Sequence, residues 1–289
     1  MKILTWNILS PTWFCLYAKE TYGLHCDFDF NQKRLDNIIT SIKTLNPDVL
    51  CLQEISYYEI NKITKLGYQL VCSLAFNKNM ANEGVATLIK TKMNKNIETF
   101  EYGLDDVSNE PYVYCTISNV KILNVHLPRG GNTYATLVNI MKKIKTIPTL
   151  VVGDFNCSSL SNKELYRLIP HYLTTPTDTY FLNIKKYLLT KKLFDTIDNK
   201  YLLKNKSKLY TTIKNKYKDH EDHIFINTQK HEIKNIYYGD YIKKLDKKTI
   251  SQKENGLIYL VKNNKKRKKW NLLKNKMTSD HRWMFIDLS

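Results

Sequence analysis

Apolar residues recur along this chain in two rhythms, and the rhythm changes where the elements change. Residues 2 to 8, KILTWNI, read as a strand. In the stretch FNQKRLDNIITSIKTLNPDVLCLQE, Leu35, Ile38, Ile39, Ile42 and Leu45 fall at helical spacing, Asn46-Pro47 ends the helix, and DVLCLQ is the short apolar run of a buried strand. Further strands are expected at GYQLVCSL, GVATLIK, YVYCTIS and VKILNVHL, then an amphipathic helix over 132–146 through Leu137, Ile140, Met141 and Ile144. The strand TLVVGDFN follows it, and DHIFIN, GLIYLVK and WMFIDLS come late. Strands outnumber helices, and many follow one another without a crossover. The pattern therefore predicts an α+β fold in which two packed mixed β-sheets are flanked by helices.

No internal repeat or flexible linker is visible, so residues 1–289 are expected to form one domain. With 43% hydrophobic and 12% aromatic residues the chain can bury a sizeable core, which excludes a disordered tail. The formal net charge of +18 favours an anionic partner such as nucleic acid, phosphorylated lipid or an acidic membrane over an acidic protein. More than half of the 45 Lys and Arg lie beyond residue 181, in runs such as YLLKNKSKLYTTIKNKYK and VKNNKKRKKW, with a basic insertion expected around 229–277. A Lys-rich and Asn-rich chain is also what an AT-rich genome would encode. The six cysteines form no CxxC pair, so buried reduced thiols are expected rather than zinc or a disulfide framework. The opening MKILTWNILSP is too short and too polar for a signal peptide or a membrane span. The reading is an intracellular, cytoplasmic protein, with the nucleus as the alternative compartment.

The candidate chemistry lies at the strand ends. Asn7 closes the first strand, Glu54 follows VLCLQ, His126 follows KILNV, and Asp154 with Asn156 follows TLVVG. Asp222 stands in EDHIF, and Asp280 with His281 in TSDHRW. Each alone is an ordinary turn former or core residue. Together they make an oxygen-rich ligand set with imidazoles beside it, which suits Mg²⁺ or Mn²⁺ better than zinc. Phosphoryl transfer needs these parts: a divalent cation for the phosphate oxygens, a base for water, and cationic donors for developing charge.

The blocks TWNIL, LQE, NVHL, GDFN, DHIF and SDHR resemble, in order and relative placement, the signature blocks of the endonuclease/exonuclease/phosphatase superfamily. The resemblance runs from residue 3 to 287 and implies the DNase I-like four-layer sandwich. It implies Glu54 as the main metal ligand, with Asn7 beside it and Asp280 on the metal side. Asp154 would orient or deprotonate the attacking water, Asn156 would donate to a phosphate oxygen, and His281 would contact the scissile phosphate with Asp222 orienting it. His126 would be a second imidazole at the phosphate or leaving oxygen. The opening TWNILSPTWFCLYAKETYG and the block NVHLPRGGNTYATLVNIMKKI resemble the branch of deadenylases, nocturnin and 2′-phosphodiesterases. Arg129 with Gly130 and Gly131 would there be either a phosphate cradle or a plain turn.

The leading expectation is a Mg²⁺-dependent (or Mn²⁺-dependent) phosphodiesterase acting on nucleic acid, RNA or single strands before duplex DNA. Lys265, Lys266 and Arg267 would attract backbone phosphate, and Tyr210, Tyr217 and Trp270 would stack on bases or pack in the core. The alternatives are a DNA endonuclease or DNA-end-processing enzyme and, ranked last, a phosphoinositide phosphatase or sphingomyelinase-type enzyme. A binding module with a dead site is disfavoured because no catalytic block is lost. Oligomeric state leaves no mark on the sequence.

Overall fold

The first strand shows how the layers arise. In β1 (Lys2–Asn7), Ile3 belongs to one apolar cluster while Leu4 and Trp6 belong to another. Strand alternation thus buries both faces of one ribbon in different cores. The computed structural model describes residues 1–11, 28–72, 75–76, 83–157, 177–196, 212–214, 217–219, 221–227, 231, 233–238, 281 and 283–289.

The described elements after β1 are α1 (Phe28–Leu45), β2 (Val49–Ile55), α2 (Tyr57–Thr64), β3 (Tyr68–Leu70), β4 (Ala75–Phe76), β5 (Gly84–Lys90) and a 3₁₀ turn (Thr91–Asn96). Then come β6 (Ile97–Leu104), β7 (Pro111–Ile117), β8 (Val120–His126), α3 (Asn132–Lys143), β9 (Leu150–Asp154) and α4 (Thr177–Thr190). The rest are β10 (Phe194–Asp195), β11 (Thr212–Lys214), β12 (Tyr217–Asp219), β13 (Asp222–Ile226), β14 (Ile233–Tyr238) and β15 (Met284–Leu288). One sheet runs β14-β15-β1-β2-β5-β3, with β4 also on β5, and the second runs β10-β13-β9-β8-β7-β6. Each contains one parallel pair, β1 with β2 and β8 with β9, among antiparallel neighbours. Both sheets are mixed, as expected.

Three buried clusters fill the spaces between layers. Ile3, Val49, Cys51, Ile122, Leu150, Val152, Ile224 and Ile286 lie between the two sheets. Ile38 and Ile42 of α1 with Ile60 and Ile63 of α2 cover the outer face of the first sheet against Leu4, Trp6, Leu50 and Leu52. Leu137 and Ile140 of α3 with Phe181 and Ile184 of α4 cover the second sheet against Leu123, Val125, Val151 and Phe225. The order helix, sheet, sheet, helix is the four-layer sandwich.

The space between the sheets is graded from apolar to polar. Along β1 the inward positions are Ile3, Thr5 and Asn7, along β8 they are Ile122, Asn124 and His126, and along β9 they are Leu150, Val152 and Asp154. The middle rank is knitted together: Gln53 Nε2 donates to Asn124 Oδ1 at 2.7 Å and to Thr5 Oγ1 at 3.2 Å, and Asn124 Nδ2 donates to Ala86 O at 3.0 Å. This fully buried hydrogen-bonded floor separates the oily core from the polar end.

Several elements differ from the sequence reading. GYQLVCSL is strand only at Tyr68–Leu70, with a bend at Val71 and Cys72. β6 was not anticipated, because an edge strand exposed over Glu98–Phe100 has no alternation to read. α2 and α4 were also missed. The strand expected at GLIYLVK lies outside the described residues. Among the described cysteines, Cys51, Cys72, Cys115 and Cys157 are free thiols. Burial pushes Cys51 up to about 12 and Cys72 to about 11, so neither is a nucleophile at neutral pH.

Candidate active site

Five strand ends and one isolated residue converge at the polar end of the graded layer. The parallel register of β1 and β2 sets Asn7 beside Gln53, and that of β8 and β9 sets His126 beside Asp154. The antiparallel register of β13 and β9 sets Asp222 beside Asp154. Gly153 is required by the close pairing of β8 with β9, since its φ is +133° and a Cβ there would sit 2.0 Å from the Val125 carbonyl oxygen. Any side chain at 153 would push β8 and β9 apart and separate His126 from Asp154.

Strict alternation would aim Glu54 away from these groups, because Gln53 already takes the inward position. The chain solves this with a bulge: pairing to β5 slips between Leu52 and Ile55, and Glu54 adopts a φ of +51°. A bulge re-aims a side chain in this way, and backbone strain of this kind concentrates at functional sites. Asn156 has a φ of +48°, and its backbone N–H donates to Asp154 Oδ1 at 2.8 Å.

Asn7 is the centre of the cluster. Its Nδ2 donates to Glu54 Oε1 at 2.8 Å and to Asp154 Oδ2 at 2.9 Å, while its Oδ1 accepts the Leu9 N–H at 3.0 Å. Ser10 N–H donates to the other Glu54 oxygen at 3.3 Å. His281 Nδ1–H donates to Asp222 Oδ2 at 2.8 Å, which turns Nε2 toward Asp154 Oδ2 at 3.8 Å. The Trp6 indole N–H holds the His281 carbonyl at 3.0 Å. Asn7, Asp154, Asp222 and His281 are buried, whereas Glu54 and His126 are partly exposed at the mouth.

A second chain of contacts enters from the other side. Arg129 Nε donates to Asn156 Oδ1 at 3.0 Å, and Asn156 Nδ2 donates to Leu127 O at 2.9 Å. With the amide oriented by these two bonds, its Nδ2 faces His126 Nε2 at 3.2 Å. His126 Nε2 also lies 3.8 Å from Glu54 Oε1 and 3.7 Å from Asp154 Oδ2.

Two overlapping groups could hold a metal ion: Glu54, His126 and Asp154, and Asp154, Asp222 and His281. The donor set fits such an ion. Two carboxylate oxygens are drawn together by one neutral amide at the end of a buried cleft, where uncompensated negative charge is costly. Glu110, missed in the sequence, adds to this charge. Burial raises its carboxyl above the ordinary value, His126 acts in the opposite direction, and Asp105, Asp154 and Glu54 raise it further. Its signal was its position before β7, whose start pairs beside the end of β8.

The structure therefore brings together Asn7, Glu54, His126, Arg129, Asp154, Asn156, Asp222 and His281. Asp280, Lys265, Lys266 and Arg267 lie outside the described residues, as do Tyr210 and Trp270. No helix among the described residues is long and apolar enough to cross a membrane.

Comparison with known proteins gives a consistent picture. The family described as Endonuclease/Exonuclease/phosphatase matches residues 4–281. Protein angel homolog 2 of Danio rerio is 28% identical over 207 residues, covering 58% of this chain and 35% of that protein, so the chain spans about a third of the curated relative's length. Among solved structures, ANGEL2, described as a 2′,3′-cyclic phosphatase, superposes with a TM-score of 0.61 at 16% identity, covering 99% of this chain and 94% of that one. The human nocturnin catalytic domain with bound sulfate superposes with a TM-score of 0.60 at 16% identity, covering 100% and 93%.

Proposed function

We propose, from the premise that this chain belongs to the Endonuclease/Exonuclease/phosphatase family, that it is a Mg²⁺- or Mn²⁺-dependent phosphodiesterase acting on RNA or single-stranded nucleic acid. The observation that carries the reading is the Asn7 amide shared between Glu54 and Asp154, with His281 held by Asp222 at the same cleft. The substrate class is supported by the net charge of +18 and by the relative described as a 2′,3′-cyclic phosphatase, since such a cyclic ester forms only on ribose.

Glu54, with His126 or Asp154, would hold the cation, whose chemistry when bound is to neutralise phosphate oxygens. The chain's own residues supply the rest. Asp154, anchored by the Asn7 amide, accepts the proton of the attacking water. His281 keeps Nε2 toward the cleft because Asp222 binds Nδ1–H, so in its protonated form it donates to the phosphate as charge develops. Arg129 lies over Asn156 at the open side and presents its guanidinium to the substrate phosphate.

The test is hydrolysis of labelled poly(A) RNA, 2′-5′ oligoadenylate, abasic duplex DNA, 5′-tyrosyl DNA and inositol phosphates with Mg²⁺, with excess chelator, and with Glu54→Gln. Single-stranded RNA substrates should turn over fastest, and both chelation and the substitution should abolish turnover while leaving the circular dichroism spectrum unchanged. Full activity in chelator, or preference for inositol phosphates, would overturn the reading.

A further inference from the structure

We infer that Gln53 and Asn124 form a clasp between the two sheets that positions the cation ligands above it, setting the gap between Glu54 on one sheet and His126 with Asp154 on the other. The inference rests on the reading of this site as a Mg²⁺ or Mn²⁺ centre and names the positioning residues that fit it to a small cation.

The ligand group is split across the seam between the sheets. Glu54 comes from β2 of the first sheet, His126 and Asp154 come from β8 and β9 of the second, and the ligand atoms of the three lie within 4.8 Å of one another. A change in the spacing of the sheets at this level therefore changes the size of the site. Like charges on Glu54 and Asp154 push this end open, and the Asn7 amide, bonded to both, opposes them at the rim.

The clasp lies one rank below. Gln53 immediately precedes Glu54 and is paired with Asn7, while Asn124 stands two residues before His126 on the same face of β8. Gln53 Nε2 donates across the seam to Asn124 Oδ1 at 2.7 Å, and Asn124 Nδ2 donates back across it to Ala86 O of β5 at 3.0 Å. The direction of this chain is fixed at both ends. The same Gln53 nitrogen reaches Cys51 O at 3.1 Å, and a backbone carbonyl can only accept, so neither amide can flip without setting acceptor against acceptor.

Both side chains are wholly buried, and Gln53 Oε1 has no hydrogen-bond partner among the described residues. A buried acceptor left unpaired costs stability, and an apolar pair of similar volume would fill this layer without that cost. What the amides supply and an apolar pair cannot is a fixed separation, because hydrogen bonds hold over a narrow range of distance. Cation size makes that separation matter: Mg²⁺ demands near-ideal octahedral ligands at about 2.0–2.1 Å, whereas Ca²⁺ accepts about 2.3–2.6 Å and flexible geometry.

The experiment uses metal-free wild type, Gln53→Met, Asn124→Ser and, as a control, Ile38→Ala, which opens a hole under α1 on the outer face of the first sheet and leaves the seam alone. Binding of Mn²⁺, and its displacement by Mg²⁺ or Ca²⁺, is followed by electron paramagnetic resonance beside a melting curve for each protein. Gln53→Met and Asn124→Ser should each weaken Mn²⁺ and Mg²⁺ binding on the order of tenfold, as loss of a group that orients metal ligands does, and should weaken Ca²⁺ binding much less. The Mg²⁺ concentration for half-maximal hydrolysis should rise by the same factor, with kcat recovered at saturating Mg²⁺. Ile38→Ala should melt lower and bind all three cations as wild type does. Asn124→Ser, which adds no bulk, decides the matter if Gln53→Met does not fold. Unchanged Mg²⁺ affinity in the folded clasp variants, equal losses for Mg²⁺ and Ca²⁺, or an equal loss in Ile38→Ala would overturn the clasp. A wild-type protein that binds neither Mn²⁺ nor Mg²⁺ would instead overturn the metal reading, and the clasp with it.

Discussion

Two aspartate–histidine pairs lie on opposite faces of the same strand and differ in everything except their chemistry. Asp222 faces the cleft and holds His281 at 2.8 Å; the next residue, His223, faces the helices and is held by Asp195 at 3.1 Å. Both pairs are buried. Around His281 stand Asp154 at 3.8 Å and, through it, the Asn7 amide. Around His223 stand Phe181, stacked at 4.5 Å, and Phe155, edge-on at 5.4 Å. An acid–imidazole pair is therefore no mark of catalysis by itself. The surroundings of the imidazole decide the role: a third polar group across a cleft in one case, packed aromatic rings in the other.

The largest expected effect breaks the front pair. His281→Ala should lower kcat by roughly 10²–10⁴-fold, the range for loss of a positioned acid or base. Asp222→Asn should fall in the same direction by less, because the ring remains but its orientation is lost. The melting temperature should fall as well, because this pair is as buried as the other, so kcat of the folded variants, read by steady-state kinetics beside a melting curve, is what marks the front pair. A fall in Tm with kcat preserved would make the front pair structural and erase the distinction.

The back pair should lose stability without the loss of kcat. His223→Phe keeps a ring against Phe181 and Phe155 but leaves the buried Asp195 without its imidazole, and breaking a buried pair costs about 3–5 kcal/mol. Denaturant unfolding should show that loss, while kcat measured on folded protein in low denaturant should stay within a few-fold. The pair has a second duty, since Phe155 lies between Asp154 and Asn156 and packs on His223. If kcat falls as far as in His281→Ala, the back wall sets the spacing of the front one.

The sequence made the front face legible and hid the back. Asn7, His126, Asp154 and Asp222 could be read as costly residues at the ends of apolar strands, because β-strands of similar length end level with one another. Glu54 could be named from its motif but not aimed, since the bulge that turns it inward depends on how β2 pairs with β5. His223 sat in the same DHIF block and passed unnoticed, because strand alternation does not reveal that Asp195 of β10 waits behind it. The buried Arg34–Glu59 ion pair was hidden for a similar reason, as it joins two helices that the pattern treated separately or missed. Gly153 was visible as a letter, and only the 2.0 Å approach to Val125 O explains it.

The smallest effect belongs to Glu110, which borders the front face without joining either pair. Its loop is pinned by Asp105, which accepts the Val107 N–H at 2.7 Å, the Glu110 N–H at 2.9 Å and the Ser108 hydroxyl at 2.6 Å. Burial first, then the carboxylates of Asp105, Asp154 and Glu54, raise its carboxyl above the ordinary value, against the opposing pull of His126. A raised carboxyl binds its proton more tightly in the folded state than in the unfolded one. Between the ordinary value and the raised one the native protein therefore holds more protons, and stability falls as pH rises through that window. Glu110→Gln removes the penalty, so the metal-free variant should melt above wild type at neutral pH and together with it at a pH below the ordinary carboxyl value. Melting curves of metal-free protein across that range are the measurement, and a cation added at neutral pH should narrow the difference by screening the same carboxylates. If the variant melts lower at neutral pH, Glu110 is a stabilising partner in its loop and the excess of negative charge at the front face has been overstated.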